Sequence, residues 1–179
     1  DSCGEPWLAL PLVYMLREQG TFADYGHQSA AHSIQDFVSE LPGGEAGYLH
    51  LTADFLRALY TARASENATY FVDKTPRYYK ILPELKRMFP DSPALFLLRN
   101  PLGVFGSIIN FVDGDLRYLP MWESDWLEGH AKISDAVASE EYFHLVRFES
   151  LVSEPHHEVK TIIEKLGLSF DPALVDEVA

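Results

Sequence analysis

The chain has 179 residues, 47% of them apolar and 23% charged, a balance that excludes a disordered polypeptide and predicts a single globular domain over residues 1–179. Fourteen bases against twenty-seven acids leave a net charge of −13, so nucleic-acid backbones and anionic membrane surfaces are repelled and excluded as partners. One cysteine, Cys3, excludes an internal disulfide framework and a cysteine-based metal cluster, and fits a reducing compartment such as the cytoplasm.

Pro and Gly punctuate the chain. Pro11 suits a first helical turn and Gly20 a position just past a helix, which predicts a short apolar helix between them. Ala31, Ile34, Phe37, Val38 and Leu41 recur at helical spacing until Pro42-Gly43-Gly44 stops them. Leu51, Phe55, Leu59 and Ala62 repeat that spacing and predict the core face of a helix over about 48–64. No strand is expected in this stretch.

The pattern then changes. Thr69-Tyr70-Phe71-Val72 is β-branched and aromatic and reads as a strand. Pro76 and Pro83 open short helical pieces. Ala94-Leu95-Phe96-Leu97-Leu98 is a continuous apolar run, the mark of a parallel strand buried on both faces. A helix over 101–111 follows Asn100-Pro101. Residues 112–121 read as irregular and as a candidate lid. Trp122, Trp126, His130, Ile133 and Val137 mark a longer helix, as core more than as a binding stripe. A third strand spans 143–148, a capped helix 155–167, and a helix-like segment 172–179. Strands alternating with helices predict an α/β fold with a parallel sheet flanked by helices.

Two strands each end in a cation, Lys74 after the first and Arg99 after the second. Ligands of open α/β sheets bind beyond the carboxyl ends of the strands. Ser107 lies eight residues after Arg99, and the helix N-terminus at Asn100 adds its dipole. Each residue alone also reads as ordinary surface: Lys74 a solvated loop lysine, Ser107 a tolerated helix serine. Two cations and a hydroxyl at strand ends suit a phosphorylated ligand better than a core. The seven histidines match no metal-ligand spacing, so no metal site is expected.

Asp73-Lys74-Thr75-Pro76-Arg77-Tyr78, followed by Leu97-Leu98-Arg99-Asn100-Pro101-Leu102-Gly103-Val104-Phe105-Gly106-Ser107-Ile108, resembles the sulfotransferases that use 3′-phosphoadenosine 5′-phosphosulfate (PAPS). Cys3-Gly4-Glu5-Pro6 resembles the turn of the tyrosylprotein branch, and Val146-Arg147-Phe148-Glu149-Ser150-Leu151 the family's later strand and helix start. The resemblance implies a P-loop NTPase-like sheet, with Arg99 and Ser107 on the cofactor's 3′-phosphate and Lys74 beside the phosphosulfate. It implies Glu5 as the catalytic base and a hydroxyl acceptor on a small molecule, sugar or peptide. It implies a cytoplasmic enzyme, or one of the Golgi lumen for a eukaryotic luminal member.

The family's Ser-Gly-Thr-Thr phosphate loop precedes the Cys-Gly-Glu turn and has no counterpart in these residues. The expectation is therefore an interior fragment, cut at both ends, that lacks the first strand and its loop and transfers no sulfate alone. A P-loop phosphoryl-transfer enzyme, with Asp73 as its metal-binding acid, is the alternative reaction class. A non-catalytic nucleotide-binding module is the other.

Overall fold

A computed structural model describes residues 2–18, 20, 22–23, 26–139 and 142–176. Their contacts gather into two compact units, Asp1–Asp91 and Ser92–Ala179. Helices alternate with parallel strands in both, so the chain is α/β. Among the described residues no helix is long and apolar enough to cross a membrane.

In the first unit, β1 (Ser2–Gly4) precedes α1 (Ala9–Tyr14), α2 (His27–Ser39) and α3 (Gly44–Arg63). Then come β2 (Val72–Lys74), a 3₁₀ helix over Pro76–Ile81 and α4 (Leu82–Met88). Strand β1 corrects the expectation that nothing before residue 69 is a strand. It runs parallel to β2 with Ser2 opposite Val72 and Gly4 opposite Lys74. Three residues, Ser-Cys-Gly, are too short to carry any alternation, so only the partner makes them a strand. Strand β2 also sits later than expected, and brings Lys74 onto the ladder itself.

Helix α3 follows Gly43, whose φ of 83° falls in the left-handed region that only glycine enters freely. Its buried residues are Leu49, Thr52, Ala53 and Leu56. The predicted face is overturned: Leu51 is 58% and Phe55 53% exposed. Apolar residues occupy two sides of this helix, so periodicity fits either. Packing selects the side where small Ala53 lets Leu10, Val13, Ile81 and Met88 close in. Burying each such aliphatic chain is worth about 1.5–3 kcal/mol, and this cluster supports the β1–β2 ladder.

The second unit contains β3 (Ala94–Leu98), α5 (Pro101–Phe111), a 3₁₀ helix over Leu116–Met121 and a π-helical turn over Ser124–Glu128. It continues through α6 (Gly129–Ser139), β4 (Phe143–Arg147), α7 (Phe148–Ser153), α8 (Pro155–Lys165) and α9 (Ala173–Asp176). Residues 177–179 of the predicted last segment lie outside the described residues. Strands β3 and β4 pair in parallel from Ala94–Phe143 to Leu98–Arg147. Strand β3 is not buried on both faces: Leu95 is 42% and Leu97 55% exposed.

Most of the segment expected to be irregular, Leu116–Met121, is the 3₁₀ helix, capped by the Asp115 carboxylate, which accepts from the Arg117 N–H at 3.1 Å. The expected long helix is divided at the π turn. Its tryptophans are half-buried against aromatic neighbours and not core: Trp126 lies 5.3 Å from Phe105, and Trp122 5.6 Å from Phe111, which is itself exposed.

Candidate functional site

In the first unit the chain leaves β1 at Gly4 directly beside Lys74. The Glu5 N–H donates to the Lys74 carbonyl at 2.9 Å and carries the ladder one bond further. The two side chains then meet, with Lys74 Nζ 2.9 Å from Glu5 Oε1. Both are open to solvent at 64% and 46% of the side chain. An exposed pair contributes about 0–1 kcal/mol.

The backbone beneath it is costly. Glu5 has φ 44° and Trp7 φ 57°, and left-handed non-glycine residues cost of order 1–3 kcal/mol each. Pro6 aggravates this, since a residue before proline prefers extended geometry. The strain exceeds what the ion pair returns, so stability does not explain the arrangement. Strained residues of this kind cluster at functional sites.

Beneath the pair lies a polar cluster on Asp73. Its Oδ1 accepts from the Thr75 hydroxyl at 2.8 Å, and its Oδ2 from the hydroxyls of Tyr78, at 2.7 Å, and Tyr60. Burial first, and then the hydrogen bond to Asp73, push the Tyr78 hydroxyl up to about 12. The same causes in the same order raise Tyr60 still further. The Arg77 guanidinium stands 5.5 Å from the centre of the Trp7 ring, within cation–π range. Tyr60 belongs to this cluster although nothing in its helical context points to it.

In the second unit Arg99 follows the end of β3. Asn100 caps α5 through its side chain, which accepts from the Leu102 N–H at 2.9 Å. Pro101 fills the first helical position. The Arg99 guanidinium lies 4.7 Å from the centre of the Phe148 ring, and its Nε is 3.1 Å from where a Cβ on Gly103 would stand. It therefore lies along the first turn of α5, over a glycine where any Cβ would push it aside by a few tenths of an ångström.

Ser107 is four residues beyond Gly103, on the same helix face and about 6 Å further along the axis. Arg99 and Ser107 are thus presented to one side of α5, both exposed.

Glu149 makes its principal bond to the Asn100 N–H, at 2.8 Å. That bond first, with Arg99 and Arg147 adding attraction, holds its carboxyl below the usual value. Phe148, Glu149 and Gly103, which the sequence reading gave no part at the site, are the residues that Arg99 and Asn100 touch. The glycine lies within the Asn-Pro-Leu-Gly run, but its purpose emerges only with Arg99 in place.

A shallow surface cleft lined by Leu16, Gln35, Val38, Ser39 and Glu45 holds none of these residues. Among the described residues no three of His, Cys, Asp and Glu gather in a way that could hold a metal ion.

The model of a family described as the sulfotransferase family matches residues 1–172. The chain is also similar to nodulation protein NoeE of Sinorhizobium fredii (strain NBRC 101917 / NGR234), with 29% identity over 194 residues. That alignment covers 94% of this chain and 44% of the relative, so the chain spans less than half of NoeE's length. No solved structure matches it.

Proposed function

Since the chain belongs to the sulfotransferase family, we propose that it supplies the base and the 3′-phosphate contacts of an enzyme moving a sulfuryl group from PAPS to a hydroxyl acceptor. The observation that carries this reading is the Glu5–Lys74 contact of 2.9 Å, held by strained backbone at the carboxyl ends of two parallel strands. PAPS, when bound, supplies the activated sulfuryl group.

Glu5 takes the acceptor's proton as the acceptor oxygen bonds to sulfur. Lys74 balances the charge left on the departing phosphate oxygen as the bond from that oxygen to sulfur breaks. Arg99 and Ser107, on one side of α5, fit an anion with a charged fork and a hydroxyl donor, and hold the 3′-phosphate. The acceptor is a hydroxyl of a small molecule, sugar or peptide.

We further infer a P-loop-type sheet whose first strand and phosphate loop come from outside these 179 residues. Supporting this, each of the two ladders is parallel and, among the described residues, two-stranded, while parallel strands ordinarily belong to larger sheets covered on both faces. The phosphoryl-transfer alternative loses its acid. Asp73 already accepts three hydroxyl donors, most of the roughly four lone-pair positions of a carboxylate.

The test is single-turnover transfer from labelled PAPS by the full-length protein, beside an independent nucleotide-binding assay. Glu5→Gln keeps size and hydrogen bonding but removes basicity, so the rate should fall about 10²–10⁴-fold with binding unchanged. A variant retaining more than about a tenth of the rate, far inside that range, would remove Glu5 as the base. A wild-type protein that binds nucleotide but never transfers sulfate would be a binding module.

A further inference from the structure

The residues from Gly4 to Ala9 carry both the proposed base and the strain, so something must restrain them. Only weak contacts are available at the surface. The restraint comes from below, from the underside of β2. In that strand Val72 and Lys74 are exposed, while Asp73 between them points the other way and is half-buried.

Each hydroxyl around Asp73 has one hydrogen to give. Thr75 and Tyr78 give theirs to the carboxylate, at 2.8 and 2.7 Å. Their oxygens are left to accept from the loop. Thr75 Oγ1 accepts from the Trp7 N–H at 3.4 Å, and the Tyr78 hydroxyl from the Ala9 N–H at 3.4 Å. The carboxylate, having no proton of its own, fixes the direction of both bonds. Tyr60 anchors the cluster from α3, its ring stacked on Phe71 at 4.9 Å.

We propose that Asp73 is a positioning residue: through Thr75 and Tyr78 it pins the Trp7 and Ala9 amides, and so holds Glu5 against Lys74. This rests on the reading of Glu5 as the base. An asparagine at 73 would present an amide N–H₂ in place of one carboxylate oxygen, where one hydroxyl (Thr75) or two (Tyr78 and Tyr60) now donate. One hydroxyl would have to turn its hydrogen away, toward a loop N–H, setting donor against donor. The two loop bonds are long, so each is weak, and their loss frees the loop without unfolding the unit.

The experiment uses the full-length protein and reads two quantities. The first is amide hydrogen exchange at Trp7 and Ala9, which reports pinning whatever the chemistry. Asp73→Asn and the milder Tyr78→Phe should both speed exchange there. Tyr48→Phe, which removes a tyrosine bond to the Leu12 carbonyl outside this cluster, should not.

The second is turnover. Asp73→Asn should lower kcat about tenfold to a hundredfold, as small misplacements do, with nucleotide affinity unchanged. On a Glu5→Gln background the same substitution should add almost nothing, because coupled residues are not additive. Unchanged exchange at both amides overturns the inference, as does a full additive loss in the double variant. If Glu5→Gln collapses turnover while Asp73→Asn leaves it intact, the base stands and the positioning role falls. If Glu5→Gln is fully active, the base reading fails, whatever the exchange data show of the loop.

Discussion

Arg99 lies across Gly103. The guanidinium Nε is 3.1 Å from the position a Cβ would take, tight enough that any larger residue must displace it. Alanine is the better helix former, by about 1 kcal/mol in a helix interior and less in the first turn, where Gly103 lies. On the 3′-phosphate reading, stability and nucleotide affinity are therefore set against each other at one position.

Gly103→Ala should raise or maintain the melting temperature while weakening 3′-phosphoadenosine 5′-phosphate binding about fivefold, the equivalent of roughly 1 kcal/mol. Gly103→Val should weaken it more. Calorimetry beside thermal melts separates the two effects. Unchanged affinity in both variants would mean the guanidinium need not lie along α5.

The 3′-phosphate assignment predicts discrimination between nucleotides. Full-length protein should bind 3′-phosphoadenosine 5′-phosphate much more tightly than AMP. Charge-assisted hydrogen bonds are worth about 1.5–3 kcal/mol, so Arg99→Ala should cost at least about tenfold in that affinity. Ser107→Ala should cost less, and neither should change AMP binding. Equal affinity of the wild type for both nucleotides would refute the assignment.

Glu149 gives a pH dependence of definite sign. Its carboxyl sits below the ordinary 4.5, chiefly because the Asn100 N–H donates to it. The folded state therefore gains from the ionised form above the ordinary value, and loses that gain as pH falls through the lower, folded one. Glu149→Gln should be less stable than wild type near neutrality, and the difference should vanish in acid. Urea melts of both proteins between about pH 3 and pH 7 test this.

Alkaline titration tests the Asp73 cluster. Tyr78 is raised to about 12, by burial before the Asp73 bond, and Tyr60 further still. Their contribution to stability is complete below 10.0, where free tyrosine ionises, and is lost as pH climbs through the raised folded values. Ultraviolet titration should find both still protonated above the range in which free tyrosine ionises. In Asp73→Asn both should ionise earlier. A single transition near 10 for every tyrosine would contradict the cluster.

Legibility in the sequence followed the range of the interactions. The bounds of β3 and α5 were readable because an apolar run and an Asn-Pro start are local. Lys74 and Arg99 were readable as strand-end cations, and Glu5 and Ser107 acquired roles from their resemblance to a family. The face of α3 was misjudged because Leu51 and Leu49 fit helical periodicity equally well, and only neighbours choose between them. Strand β1, the Asp73 cluster and the Glu149 cap were invisible for one reason. Each depends on groups far apart in the chain, and no local pattern records them.

That distance also sets when the site comes into being. Glu5 and Lys74 are 69 residues apart, and Asn100 and Glu149 are 49 apart. Closing loops of such length costs about 3–4 kcal/mol in chain entropy beyond a fixed term, before any contact rewards it. Helices such as α3 need only neighbouring residues and form on a faster clock. The ladders that bring Glu5 to Lys74, and Glu149 to Asn100, are thus late events of folding. The loop beside β1, short and strained, belongs to the elements that open first when stability is withdrawn. If the proposed chemistry is correct, denaturant too dilute to melt the helices should silence sulfuryl transfer by the full-length protein before helical content falls.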